Sequence, residues 1–129
     1  MRAPTLLHEF LDTARRRWPD APAIDVPETP DRSTRRTMTY AALWSRAGAI
    51  ARRVAGVTRP DTVVAVMLPR TTPDLFAAQI GVNRAHGAFT CPDPKFPDAH
   101  LRAVLENAGV RTVIGDRASL DRIAALGLE

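Results

Sequence analysis

The chain has 129 residues, 45% of them hydrophobic and 25% charged, which suits one globular domain, leaves no room for two, and argues against a disordered chain. A net charge of +4 comes from 18 basic and 14 acidic residues, and every basic residue but Lys95 is an arginine. Only 5% of residues are aromatic, so the short basic clusters (Arg15 to Arg17, Arg35–Arg36, Arg52–Arg53) lack interleaved stacking platforms and read as solvated faces rather than a nucleic-acid surface.

The first element is an amphipathic helix on Leu6, Leu7, Phe10, Leu11, Ala14 and Trp18, capped by Thr5 and stopped by Pro19. His8, Glu9 and Asp12 interrupt this stretch, so it is no signal-peptide core. No apolar run approaches the roughly 18 residues of a membrane helix. Ala23 to Val26 reads as a short extended run. The following VPETPDRSTRR reads as an exposed loop and a possible internal subdivision near 27–37 of a single unit spanning 1–129.

Beyond the loop, strand and helix alternate. Thr39 is expected to cap a helix with Leu43, Ala47, Ile50, Ala51 and Val54 inward, ending at Gly56. TVVAVML, Thr62 to Leu68, is almost continuously apolar and predicts a strand covered on both faces. Thr72, Pro73 and Asp74 open a helix that runs to about His86. Ala88 to Cys91 is a short strand, Pro97–Asp98 opens a helix to Gly109, Thr112 to Ile114 is a strand, and Asp116 caps a last helix ending at Gly127. The order βαβαβα from residue 62 predicts an α/β fold, an open parallel sheet flanked by helices with right-handed crossovers.

Ligands of such sheets sit at the carboxyl ends of the strands. There the chain offers Pro69 to Thr72, Pro92 to Pro97 and Gly115–Asp116, without GxGxxG or GxxxxGKS/T. Thr71 and Thr72 are explained by helix capping. His8, His86 and His100 lack metal-ligand spacing relative to one another or to Cys91 and are expected in structural roles, with His8 and His100 on polar flanks of their helices. Cys91, the single cysteine, excludes an internal disulfide and a cysteine-based zinc site and is expected as a small buried side chain. CPDPKFP restricts the crossover to one path through Pro92, Pro94 and Pro97, with Asp93 bonding its own turn. These residues assign no catalytic, cofactor-binding or metal-binding side chain. They fit a cytoplasmic protein with no nucleic-acid or membrane partner.

MTYAAL (Met38 to Leu43) and RAHGAFTCPDPKFP (Arg84 to Pro97) resemble the first two core motifs of amino-acid adenylation domains, L-T/S-Y-x-E-L and L/V-K-A-G-x-A-Y-L/V-P-L/I-D-P followed by x-x-P. Those domains belong to nonribosomal peptide synthetases and the wider adenylate-forming, AMP-binding superfamily. VVAVMLPR (Val63 to Arg70), the Asn107 to Val110 turn and the opening Trp18 to Ala23 extend the resemblance across roughly residues 6 to 116. It departs at Ala42, where the family has a glutamate that would complete a capping box with Thr39. It departs again at His86, which holds the helix-ending glycine position: either the left-handed cap slips to Gly87 or His86 adopts it. Cys91–Pro92 replaces the usual proline-then-aliphatic pair.

The resemblance implies a partial N-terminal subdomain of the adenylate-forming fold. Its parent would condense a carboxylate with ATP, using Mg²⁺, and load a carrier-protein thiol. The family's phosphate loop, ribose-binding aspartate and C-terminal lysine have no counterpart in these residues, and Lys95 lies within the second motif. The expectation is therefore a segment that binds no ATP or Mg²⁺ and is inactive alone, whether as a gene fragment, a split enzyme completed by a complementary polypeptide, or a scaffold beside a carrier protein. Self-association through unpaired strand edges is expected as well. The alternative is a free-standing, flavodoxin-like binding or interaction module.

Overall fold

The computed structural model describes residues 3–128. Its elements run α1 (Leu7–Arg17), β1 (Pro22–Pro27), β2 (Arg35–Thr39), α2 (Tyr40–Ala55), β3 (Val63–Met67), α3 (Pro73–Arg84), β4 (Ala88–Thr90), α4 (Asp98–Asn107), β5 (Thr112–Gly115) and α5 (Arg117–Ala125). β3, β4 and β5 form a parallel sheet in the order β4-β3-β5.

β3 makes the layering. Its alternate residues serve opposite cores: Val64 and Val66 pack with Val54, Leu75, Ala78 and Val82 of α2 and α3. Ala65 and Met67 pack with Leu101, Leu105 and Leu126 on the α4–α5 side. All four β3 side chains are buried, as a strand covered by helices on both faces requires. The expected α/β sheet is therefore present, and Thr39, Thr72 and Asp116 cap their helices as expected, accepting from the amides of Ala42, Asp74 and Ser119.

Three readings near the amino end need correction. The N-cap of α1 is Leu6, not Thr5; Glu9 reaches back to accept from the amides of Thr5 at 2.7 Å and Leu6 at 3.0 Å. Leu6, Leu7, Phe10 and Trp18 of the expected inward face are exposed. The expected loop holds over residues 28–34, but its two ends belong to an antiparallel hairpin of β1 with β2. Its polar sequence disguises the strand, because cross-strand ion pairs Arg35–Asp25 and Arg36–Glu28, at 2.7 and 2.8 Å, rather than apolar alternation, tie it together. In the connecting turn Asp31 accepts from the Thr29 and Ser33 hydroxyls and the Ser33 amide. Those bonds hold its carboxyl at about 2.

The end of α3 chooses between the two caps. His86 itself takes φ +61°, its amide donates to Asn83 O at 3.1 Å, and the Gly87 amide donates to Val82 O at 3.0 Å. This is the paired-bond arrangement that closes a helix on a left-handed residue. α4 ends the same way on Gly109, at φ +63°.

Candidate functional site

The carboxyl ends of β3 and β4 open into a cleft of ≈ 380 Å³ whose rim carries Arg70, Cys91, Asp93 and Lys95 over Leu75 and Pro92. Each segment there folds on bonds of its own. After β3 the chain turns through Pro69, whose carbonyl accepts the Thr72 amide at 3.2 Å, and Thr72 Oγ1 accepts from Asp74 N at 3.3 Å. Asp74 then pairs with Arg46 of α2 at 3.0 Å. After β4, Asp93 Oδ1 accepts the Lys95 amide at 2.8 Å, and Asp93 O accepts the Phe96 amide at 3.0 Å. After β5, Asp116 accepts from Ser119 N at 2.8 Å, and the bonds from Ser119 lower its pKa. The polar side chains at the strand ends are therefore largely spent on turns and caps.

Arg122 of α5, unremarked in the sequence, fixes the proline-rich crossover. It donates to Asp98 Oδ1 at 2.8 Å, to Pro94 O at 2.6 Å and to Phe96 O. A guanidinium supplies several fixed donors at once, which suits a loop whose prolines have no amides of their own to anchor it. Its sequence signal was weak, because nothing in the spacing ties position 122 to 94–98. A second unexpected arginine, Arg84, stacks over Trp44 with its guanidinium carbon 3.6 Å from the ring centroid and donates to Trp44 O at 2.7 Å. Arg15 lies over the same ring at 5.0 Å, so Trp44 joins α1, α2 and α3.

The three histidines lie on α1, just past the end of α3 and on α4, and for one of them the expectation changes. His8 is half-buried rather than on a polar flank. Desolvation lowers its pKa, Glu9 opposes that, and His86 and Arg84 add to it. His100 stands edge-on to Phe96 at 4.4 Å. Cys91 is exposed, contrary to expectation, because β4 ends at Thr90 and the chain leaves the sheet there; Gln79 Nε2 donates to its sulfur at 3.3 Å. Among the described residues no three His, Cys, Asp or Glu side chains converge as a metal site. No helix among them is long and apolar enough to cross a membrane.

The three-layer arrangement and this motif order define a class of protein. The chain belongs to the AMP-binding enzyme family, whose model matches residues 11–128. Bacitracin synthase 1 of Bacillus licheniformis is 30% identical over 125 residues, a stretch covering 95% of this chain and 2% of that protein. The nonribosomal peptide synthetase FmoA3 superposes with a TM-score of 0.78 at 27% identity, over 94% of this chain and 12% of its own. The N-terminal subdomain of Klebsiella oxytoca NpsA superposes with a TM-score of 0.74 at 22% identity, over 88% of this chain and 28% of its own. The fold is thus part of the N-terminal subdomain of the adenylate-forming architecture. The chain spans a small fraction of these relatives.

Proposed function

We propose that this chain is the N-terminal segment of an adenylation domain. The whole domain would activate an amino or other carboxylic acid with ATP and pass the acyl group to a carrier-protein thiol, in cytoplasmic nonribosomal peptide-type biosynthesis. The observation that carries the reading is the family match over residues 11–128, supported by the motif segments 38–43 and 84–97 falling on the β2–α2 junction and the α3–β4 crossover.

ATP and Mg²⁺ do not fit the donors this segment presents. Thr72 is occupied in capping, and Asp93 and Asp116 are occupied in their own turns. The strand-end loops have no glycine-rich run to bring amides around phosphates. The segment's part is to supply scaffold; by itself it is inactive, and its partner is either a complementary adenylation-domain polypeptide or a carrier protein. Alone, the short uncharged edges β4 and β5 favour self-association.

The test is amino-acid-dependent exchange of labelled pyrophosphate into ATP. The chain alone is expected to give none; restoration by an added polypeptide carrying the rest of an adenylation domain would favour the partner-completed form over a scaffold. Exchange by the rigorously purified chain alone, surviving moderate salt, overturns the reading. Salt-sensitive association of ATP with the many arginines does not count as a site.

A further inference from the structure

We propose that α1 is a releasable arm. It is clasped onto α2 and α3 through the Arg15–Trp44–Arg84 stack, hinges at Trp18–Pro19, and is loosened when His8, on the clasped flank, takes up a proton. The arm stands independently of the segment reading above.

Although it packs on α2 and α3, α1 contributes no buried residue to either core. Its apolar Leu7 and Phe10 are exposed, while the flank laid on the body carries His8, Asp12 and Arg15, each half-buried. What holds it is the Trp44 ring, set between Arg15 of α1 at 5.0 Å and Arg84 of α3 at 3.6 Å. A helix held by stacked cations instead of apolar burial opens more readily than the cores beside it. Once detached, an 11-residue helix does not persist. The arm also has a defined end. Past Trp18 the chain is tied to the start of α2, where Ala41 N donates to Pro19 O at 3.0 Å and Tyr40 N to Ala21 O at 3.1 Å, so opening stops at Pro19.

The charges around His8 set the direction of its response. Glu9 and Asp12 face it from α1, Arg84 from α3 and His86 from the turn that follows; α2 brings the Trp44 ring, with Arg52 beside Arg84. Both acids are already engaged. Glu9 accepts the Thr5 and Leu6 amides, and Asp12 pairs with Arg15 and Arg16 at 2.7 and 2.9 Å. A proton on His8 therefore adds a cation to a flank that already packs Arg15 and Arg84 on one ring. Burial holds the neutral ring against protonation, Arg84 and His86 reinforce that, and Glu9 and Asp12 oppose it. Opening returns the ring to water and carries it away from Arg84, so the bound proton favours the open arm.

Amide hydrogen exchange along the chain at about pH 7.5 and 5.5, converted to protection factors and repeated in low urea, tests the arm beside His8→Gln and Trp44→Leu. In wild type, α1 amides should be less protected than those of β3 and nearly insensitive to urea. Their protection should fall on acidification by a factor approaching about ten, the most that one proton gives over that range. His8→Gln should show no such fall, and Trp44→Leu should lower α1 protection at both pH values. A check that needs no variant is NMR of the wild-type rings: the fall should flatten where the His8 ring finishes titrating. If α1 amides share the urea dependence of β3, the helix leaves only on global unfolding and the arm is overturned. Unchanged α1 protection in Trp44→Leu overturns the clasp. A fall that persists in His8→Gln, or that follows the His86 ring, overturns the role of His8.

Discussion

α2 and α3 pack on two glycines that predict opposite outcomes for the same substitution. A Cβ on Gly81 of α3 would lie 2.8 Å from Ile50 Cγ2, 2.9 Å from Ile50 Cβ and 3.0 Å from Ala47 O. The Ile50 branch is stiff and the carbonyl belongs to the α2 backbone, so the helices must move apart. Overpacking by one methyl costs about 1–3 kcal/mol, and contacts at or under 3.0 Å on a stiff branch and a backbone carbonyl place this one in the upper part, about 2–3 kcal/mol. The gain from replacing a helical glycine with alanine is about 1 kcal/mol. Gly81→Ala should therefore be net destabilising, by about 1–2 kcal/mol, or very roughly 3–8 °C in Tm for a chain of this size.

Gly48 of α2 is the control. Its Cβ would meet only the Arg84 guanidinium, at 3.0 Å, the far end of a flexible side chain. Shifting it weakens the Trp44 stack by about 0.5–1 kcal/mol, which the helix-propensity gain offsets. Gly48→Ala should be neutral within about 0.5 kcal/mol on those terms. Urea unfolding followed by circular dichroism reads both. Equal midpoints for the two variants, or a Gly81→Ala protein as stable as wild type, would refute the account of the α2–α3 contact.

Ala42→Glu completes the capping box of α2 and places an acid in a first turn that has none. Because the Tyr40 and Ala41 amides already donate to Ala21 O and Pro19 O, the gain in urea unfolding should sit near the low end, about 0.3–0.5 kcal/mol; a loss would show that Thr39 is not the cap. Leu101 is fully buried in the α4–α5 core, and Leu101→Ala should cost about 2–5 kcal/mol; a thermal midpoint within 1 °C of wild type (about 0.3 kcal/mol) contradicts that packing. His8 has its pKa lowered from 6.5, so the unfolded chain binds its proton more readily. The stability it contributes is present above 6.5 and lost as pH falls through the lower folded value. Wild type should therefore lose more stability than His8→Gln between about pH 7.5 and 5.5, and parallel losses would refute the burial of neutral His8.

Legibility in the sequence followed how local the cause was. VVAVM announced a strand buried on both faces because five successive apolar, mostly β-branched residues leave no solvent face. Thr39, Thr72 and Asp116 were readable as caps because the bond each makes spans two or three residues. The strand β2 was hidden because RRTMT gains its extended form from pairing with β1 across ion pairs. The amphipathic pattern of α1 specified an apolar stripe but not its partner, and Leu7 and Phe10 remain exposed. Arg84 and Arg122 were missed for the same reason. Their partners lie 40 and 24 to 28 residues away, and nothing local marks an arginine as a staple. At the strand ends, the absence of a glycine-rich loop was legible directly, whereas the exposure of Cys91 depended on where β4 stops pairing.

Amino-acid-dependent pyrophosphate–ATP exchange, measured on the purified chain at moderate salt and then with a polypeptide carrying the rest of an adenylation domain added, addresses the central claim most directly. The account predicts no exchange above background for the chain alone; exchange appearing only with the added polypeptide would mark the partner-completed form. Sustained exchange by the chain alone, lost on heat unfolding and insensitive to salt, would contradict it.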